Sequence, residues 1–197
     1  LIQRIDSIID NITQIYGKKQ ARIDFYKSMA HKSQKPETLL SAYDKLYDEY
    51  FVFQFDSAMV YADKAITLAD RIGDKFHHDK CRIEKASLLG VGGLYGEAVA
   101  LLDEIDSTRL DNELRFDYTI AYYFIYTYWA DYCHDYYYSP RYHERANTYL
   151  KQAVTMLSPT DSYYNFFWGE YYIYVERNDK RALEHYFKTL STAPVES

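Results

Sequence analysis

Histidine, cysteine and aspartate, residue types that commonly bind metal ions, form two short clusters in this chain. One is His-His-Asp-Lys-Cys at residues 77–81, and the other is Cys-His-Asp at residues 133–135. A zinc site needs two ligand pairs that converge on one point, whereas adjacent histidines on a helix point in directions about 100° apart. We therefore predict no metal site and interpret both clusters as solvated helix ends, with one site shared between the clusters as the alternative.

Signatures of catalysis and of nucleotide binding are missing from the sequence. The glycine cluster at residues 90–93 (GVGG) is followed by Leu94, Tyr95 and Gly96, not by the lysine and the serine or threonine of a phosphate-binding loop. We interpret this cluster as the end of one helix and a turn to the next. No nucleophile motif or metalloprotease motif occurs either. The sequence therefore predicts a protein with no catalytic residues and no cofactor.

The composition limits what such a protein could bind. Of the 197 residues, 48% are apolar and only seven are glycine and four proline, which favours one ordered helical domain. The net charge of −6 argues against direct binding of nucleic acid, and no segment is apolar enough to span a bilayer. Because the chain begins at Leu1, we expect any targeting signal to have been removed. Cys81 and Cys133 predict two buried thiols, with one disulfide as the alternative.

Four segments repeat one pattern, in which a small residue is followed three and four positions later by a pair of residues that is mostly aromatic or aliphatic. The small residues are Ala58, Ala98, Ala146 and Ala182. This spacing places the side chains on one helical face, where alanine lets a second helix approach closely. Another helical segment precedes each of the four, at residues 39–52, 79–89, 112–135 and 162–176. The sequence therefore predicts four helical hairpins.

These hairpins resemble tetratricopeptide repeats (TPRs). The residues that match the TPR pattern are Tyr43, Leu46 and Tyr50 in the first hairpin, Ala146, Leu150, Ala153 and Pro159 in the third, and Gly169 and Tyr172 in the last. Tyr47 stands where the family has a small residue, and the linkers vary in length, so the repeats are degenerate. The resemblance implies an all-α, right-handed α-solenoid of about four helix pairs over residues 37–192. Isoleucines at helical spacing in residues 1–35 predict one long helix, or two end to end, that caps the first hairpin.

Tyrosine is concentrated between Ala121 and Tyr142, where nine residues are tyrosine. Projection at about 100° per residue divides the predicted helix into two buried faces and a third, mixed face. The residues that we expect to be buried are Tyr118, Tyr122, Ile125, Tyr126, Trp129, Tyr132 and Cys133 on the first face, and Thr119, Tyr123, Thr127 and Ala130 on the second. The mixed face would be open to a ligand. Residues 136–138, three tyrosines beyond the helix, are assigned to no face.

In TPR solenoids the first helix of each hairpin presents one seam to a concave groove, and the resemblance implies a binding site there. The predicted groove residues are Asp44, Asp48, Phe51, Lys80, Ser87, Asp117, Phe124, Tyr128, Asp131, Tyr163, Phe166 and Glu170. Acidic groups beside exposed aromatic rings suit a basic or amphipathic peptide, or stacking on a sugar. We therefore predict a protein or peptide as the partner, with a small ligand such as a glycan as the alternative.

The opening of the chain (residues 1–23) and residues 47–61 (YDEYFVFQFDSAMVY) are similar to the N-terminal repeat region of certain Bacteroidetes transcriptional regulators. In those regulators a periplasmic or secreted TPR region precedes a membrane helix and a cytoplasmic DNA-binding segment. The resemblance implies an extracytoplasmic sensor domain whose membrane attachment lies in segments outside residues 1–197, with a cytoplasmic location as the alternative. A self-associating scaffold and a peptide-binding adaptor without a sensory role are the alternative functions, and a homo-oligomer is left open.

Overall fold

Nine α-helices make up the part of the chain whose placement is described. The computed structural model describes the backbone of residues 2–192 and the side chains of residues 12–191. The helices are α1 (Ile2–Lys32), α2 (Pro36–Phe51), α3 (Phe55–Ile72), α4 (Lys75–Val91), α5 (Tyr95–Asp103), α6 (Asn112–Cys133), α7 (Ser139–Met156), α8 (Tyr164–Tyr174) and α9 (Asp179–Thr192). Residues 2–192 contain no strand, so the predicted all-α class is confirmed. Among these helices, none combines the length and the apolar character that crossing a membrane requires.

Local residues determine where several helices begin and end. Pro36 and Pro140 lie in the first turns of α2 and α7, where a missing backbone N–H costs no intrahelical hydrogen bond. Asp111 caps α6, because its side chain accepts a hydrogen bond from the backbone N–H three residues later. Gly93 has a φ of 82°, in the left-handed region that glycine adopts readily. The glycine cluster at residues 90–93 is thus the predicted helix end and turn.

The chain divides into two compact units, residues 1–88 and residues 89–197. In the first unit α2 packs against both α1 and α3. An ion pair also joins α1 to α2, because the Arg22 guanidinium donates hydrogen bonds of 2.5 and 3.0 Å to the Glu49 carboxylate and thereby lowers its pKa. The buried side chains form two clusters, one of Ile23, Leu46, Tyr47, Tyr50, Ala58, Ala62 and Leu88, and one of Leu40, Ala65, Leu68, Ala69 and Cys81.

In the second unit each helix packs against the next, from α5 through to α9. The α6 helix is buried on more than one side, as the two predicted buried faces require. Its buried residues are Leu114, Thr119, Ala121, Tyr122, Tyr123, Ile125, Tyr126 and Ala130. Most of the tyrosines in the centre of this helix are therefore part of the core, where their rings bury a large apolar area.

One residue of the predicted buried stripe is exposed, and Tyr118 and Trp129 are only half-buried. The side chain of Tyr132 is 77% exposed, in the last turn of α6, where its ring contacts only Tyr95 among the described aromatic rings. Periodicity places a residue on a face of a helix but does not say how far along that helix the neighbouring helix extends. Cys133 is likewise only half-buried, while Cys81 is buried, and both cysteines are free thiols.

The small residues of the repeat pattern are buried. The four alanines of the repeat pattern, Ala58, Ala98, Ala146 and Ala182, are all at most 2% exposed, as the predicted close approach requires. Gly169 of α8 has the same role opposite α9. A Cβ atom at this position would lie 2.6 Å from Cε1 of Tyr186, whose ring is held in place by a hydrogen bond from its hydroxyl to Glu170.

Gly169→Ala is therefore expected to lower the free energy of unfolding by about 1–3 kcal/mol, because the added methyl group overpacks the contact between α8 and α9. Gly96→Ala is the matched control in the same unit. A Cβ at Gly96 would meet no atom within 4 Å, so alanine should leave stability unchanged or raise it by up to about 1 kcal/mol through helix propensity. Urea unfolding followed by circular dichroism measures both, and equal effects of the two substitutions would contradict the close contact.

Candidate functional site

Five of the predicted groove residues lie in the first unit, and three of these differ widely in exposure. Asp48 is exposed, and its carboxylate accepts a hydrogen bond from Lys45 of the same helix. Phe51 is half-buried, with its ring 5.6 Å from the ring of Tyr47. The hydroxyl of Ser87 donates a hydrogen bond to the backbone carbonyl four residues earlier. Of these three side chains, only that of Asp48 is exposed, and it is paired with Lys45.

The remaining two, Asp44 and Lys80, are ion-paired with each other. The Lys80 ammonium lies 2.6 Å from Oδ2 of Asp44 and 2.9 Å from Oε1 of Glu84, and all three side chains are largely buried. The hydroxyl of Tyr47 donates a hydrogen bond of 2.6 Å to the backbone carbonyl of Glu84. These interactions link α2 to α4 and neutralise the charges that were expected to meet a ligand.

The same place assembles three side chains of types that bind metals. Asp44, Cys81 and Glu84 bring one potential ligand atom each to within 4.8 Å of one another. The Lys80 ammonium already supplies the positive charge between the two carboxylates, and burial raises the pKa of the Cys81 thiol, which disfavours the thiolate that zinc binds. A metal ion would have to displace a lysine and deprotonate this thiol beside two acids. The arrangement is that of an internal ion-pair cluster.

The histidines near this cluster belong to the start of α4. Asp74 precedes the helix, and one oxygen of its carboxylate accepts a hydrogen bond of 3.1 Å from the backbone N–H of His77. The other oxygen lies 2.7 Å from Nδ1 of the same histidine. Nδ1 of His78 lies 3.4 Å from the carboxylate of Asp79. These contacts agree with the interpretation of residues 77–81 as a helix start.

In the second unit, three of the four aromatic residues of the predicted groove lie around one buried ring, that of Phe167 in α8. Its centroid lies 6.2 Å from that of Phe124 in α6, 6.3 Å from that of Tyr163 and 5.0 Å from that of Phe166. The ring of Tyr128 stacks on Phe124 at 5.9 Å. We name these five residues the Phe167 face. Tyr163 and Tyr128 are its most exposed members, at 62% and 39%.

Two acidic residues flank the α6 part of this face. Asp117 and Asp131 stand seven residues before and seven residues after Phe124, which places all three along one line of the helix. Both aspartates are exposed. The nearest ionic contact of Asp131 is long, 3.7 Å from its carboxylate to Nε2 of His143. The aromatic rings are thus bordered by negative charge.

Glu170, the last predicted groove residue, is engaged inside the unit. Its carboxylate accepts hydrogen bonds from Tyr123 of α6 at 2.6 Å and from Tyr186 of α9 at 2.5 Å. Burial first, and the hydrogen bond to Glu170 second, raise the pKa of both tyrosines, so both hydroxyls remain donors. Glu170 therefore ties α6, α8 and α9 together.

Two elements of this site were absent from the predicted groove, namely the ring of Phe167 and the pair of tyrosines on Glu170. A signal for Phe167 exists in the sequence, because it stands four residues after Tyr163 and three before Glu170, on one face of a helix. No comparable signal exists for Tyr123 and Tyr186. Each reaches Glu170 from a different helix, 47 and 16 residues away in sequence.

Comparison with known protein families agrees with the repeat pattern. The family model described as the SusR N-terminal TPR domain matches residues 9–197. This match covers nearly the whole chain, including both units and every predicted groove residue. No curated protein matches the chain in sequence.

Glu84→Gln is expected to flatten the dependence of stability on pH. Burial, the largest cause, raises the pKa of Glu84 from 4.5 to about 7. A carboxyl with a raised pKa in the folded state contributes stability that is fully present below the unfolded pKa and is lost as the pH rises through the folded pKa. Between pH 5 and pH 8 this loss should be about 1–3 kcal/mol in the free energy of unfolding. Glu37→Gln, at an exposed acid of the same unit, is the control and should lose the same stability between pH 5 and pH 8 as the unmodified protein. If the Glu84→Gln protein also loses that stability, Glu84 is not the group that causes the loss.

Tyr123→Phe is expected to destabilise the protein by about 1.5–3 kcal/mol, because a largely buried carboxylate loses a charge-assisted hydrogen bond. Tyr128→Phe is the matched control on the same helix, since the described residues offer the Tyr128 hydroxyl no hydrogen-bond partner. That substitution should change stability by less than about 0.5 kcal/mol. Thermal unfolding of the two variants distinguishes them, and similar melting temperatures would argue against a structural role for Glu170.

Proposed function

The chain belongs to the family of SusR N-terminal TPR domains, and from that premise we propose that it is a non-catalytic module that binds a basic, amphipathic peptide segment of a partner protein. TPR modules bind proteins or other ligands through the surfaces of their helices. The observation that carries the proposal is the Phe167 face, where exposed rings from α6 and α8 are bordered by aspartates.

The chemistry of this face favours a peptide that carries both apolar and basic side chains. The ring of Tyr163 is 62% exposed and offers an apolar surface and a π face to a lysine or arginine. The carboxylate of Asp131 is 67% exposed and can pair with the same kind of side chain. Aromatic residues contribute strongly to binding energy at protein interfaces. A face with both features selects against an acidic peptide by repulsion.

The predicted residues of the first unit add less to this proposal. Asp44 and Lys80 neutralise each other, and the Ser87 hydroxyl is bonded within its own helix. Asp48 is the member of that set with an exposed carboxylate. The proposal therefore places the main contacts on the second unit.

We further propose that the module is the extracytoplasmic sensor region of a transcriptional regulator. Support comes from the family and from the similarity of residues 1–23 and 47–61 to the repeat region of Bacteroidetes regulators. In this proposal the module itself does not touch DNA, and membrane attachment lies in other segments of the complete protein. The sequence of the complete gene product tests the regulator proposal. If that product contains neither a membrane span nor a DNA-binding segment, the regulator proposal is wrong and only the proposal of a binding module remains.

Binding of a short amphipathic peptide rich in lysine and leucine tests the peptide proposal. Tyr163→Ala and Asp131→Asn should each weaken binding by about tenfold, and added salt should weaken it further, while the melting temperature stays unchanged because both side chains are exposed. Tyr136→Ala, at a fully exposed tyrosine outside the Phe167 face, is the control and should bind normally. Isothermal titration calorimetry measures all three variants.

Three outcomes would contradict the peptide proposal. An acidic peptide that binds as well as the basic one would exclude charge selection. Unchanged affinity in Tyr163→Ala would exclude the Phe167 face. A neutral oligosaccharide whose binding is lost in Tyr163→Ala, but is insensitive to salt and to Asp131→Asn, would instead favour the glycan alternative. Sedimentation at several protein concentrations separates both ligands from a self-associating scaffold.

A further inference from the structure

A cavity of about 280 Å³ opens in the second unit where α6 ends and α7 begins, away from the residues of the Phe167 face. We name it the Trp129 cavity. Its lining residues are Gly96, Val99, Tyr126, Trp129, Tyr138, Arg141, Tyr142 and Arg145. The set combines four aromatic rings with two arginines and contains no acidic residue, in a chain with a net charge of −6.

The aromatic rings of this cavity lie nearly parallel to one another. Tyr142 stacks on Trp129 with centroids 4.3 Å apart and an angle of 17° between the ring planes. Tyr138 and Tyr126 stack on Tyr142 at 6.2 and 6.0 Å, with angles of 19° and 22°. Tyr95 also stacks on Trp129, at 5.7 Å. The faces that meet inside this stack are covered, so the planar ring of a ligand would pack against the remaining apolar surface of the stack.

The two arginines bring positive charge to these walls. Arg145 donates a hydrogen bond of 3.1 Å to the Tyr126 hydroxyl, and its guanidinium lies 5.4 Å from the centre of that ring. The guanidinium of Arg141 lies 4.0 Å from the centre of the Tyr137 ring. Among residues 12–191 neither arginine forms an ion pair with a carboxylate. Their N–H groups are a fork that fits a carboxylate in two parallel hydrogen bonds.

The start of α7 leaves this positive charge unbalanced. Residues with negative charge favour the first turn of a helix, where the backbone dipole is positive. The first turn of α7 contains no acidic residue and carries Arg141 instead. The fold thus places a cation at the unfavourable end of a helix dipole, and an anion bound in the cavity would relieve both charges at once.

The loop before α7 is held so that one of its tyrosines reaches the cavity. The Asp135 carboxylate accepts hydrogen bonds of 2.7 and 2.6 Å from the backbone N–H groups of Tyr137 and Tyr138. These hydrogen bonds fix the turn between α6 and α7. Tyr138 lines the cavity, and the ring of Tyr137 lies against the guanidinium of Arg141. Of the three tyrosines that no helix face explained, Tyr138 thus lines this site, and Tyr137 contacts its Arg141.

We propose that the Trp129 cavity binds a small anion made of one planar ring and a carboxylate, with the ring against Trp129 and Tyr142 and the carboxylate between Arg141 and Arg145. The volume equals that of roughly nine water molecules in the liquid, which is room for one ring and its carboxylate. This site differs from the Phe167 face in the charge that it selects. The test of the Trp129 cavity is therefore independent of the test of the peptide proposal.

Trp129 is the natural reporter of this binding. The chain has two tryptophans, so Trp168→Phe leaves Trp129 as the single indole. We expect the protein to tolerate this substitution, because the buried Nε1 of Trp168 has no hydrogen-bond partner within the described residues and no hydrogen bond is lost. Titration of the ¹⁵N-labelled Trp168→Phe protein with benzoate should shift the Trp129 indole N–H signal in NMR spectra. Benzamide, neutral and of the same shape, should bind about tenfold more weakly or not at all.

Substitutions in the same Trp168→Phe protein separate the cavity from nonspecific charge. Arg141→Gln and Arg145→Gln should each weaken benzoate binding by about tenfold, and Gly96→Leu should block the cavity with a side chain. Arg181→Gln is the matched control, since its guanidinium also lies 5.4 Å from a tyrosine ring, that of Tyr172, outside the cavity. Equal binding of benzamide and benzoate, an equal loss in Arg181→Gln, or no shift of the indole signal would overturn the proposal.

Discussion

Close contact between paired helices, made across alanine and glycine, is the constraint on which the rest of this structure depends. Ala58, Ala98, Ala146 and Ala182 are buried, and a Cβ atom at Gly169 would lie 2.6 Å from the ring of Tyr186. Large rings are therefore confined to the remaining faces of each helix. There they fill the space beside each close contact, and where no further helix covers them they form exposed aromatic surfaces. The abundance of tyrosine is one result, because its ring buries a large area while its hydroxyl can still bond.

A core lined with tyrosine needs hydrogen-bond acceptors, and acidic residues supply several of them. Glu170 accepts hydrogen bonds from Tyr123 and Tyr186, and Tyr122 donates to Asp103 at 2.5 Å. A buried hydroxyl without a partner costs free energy, so these acids are as much a part of the core as the rings. This explains why an acidic residue at a groove position need not meet a ligand.

The α6 helix carries both candidate binding surfaces of the second unit. Phe124 and Tyr128 contribute one side of it to the acidic Phe167 face, and Trp129 contributes another to the arginine-bearing cavity. The buried residues between them, including Tyr123 and Tyr126, fix the helix against its neighbours. One rigid element thus presents rings to two surfaces of opposite charge. Because α6 is already ordered, a ligand at either site would not have to pay the conformational entropy of ordering this helix when it binds.

The sequence alone was sufficient for the all-α class, for most of the helices and for the buried alanines of the repeat pattern, because the 3.6-residue period and the turn residues are local properties of the chain. It also indicated the aromatic rings of the Phe167 face. Only the tertiary structure decided which side chains are free to bind. Asp44 is occupied by Lys80, 36 residues away, and Glu170 by Tyr123, 47 residues away. Tyr132 is exposed, and the guanidinium groups of Arg141 and Arg145 lie over the rings of Tyr137 and Tyr126. Periodicity fixes the face on which a residue lies, whereas the partner on that face is set by how distant helices pack.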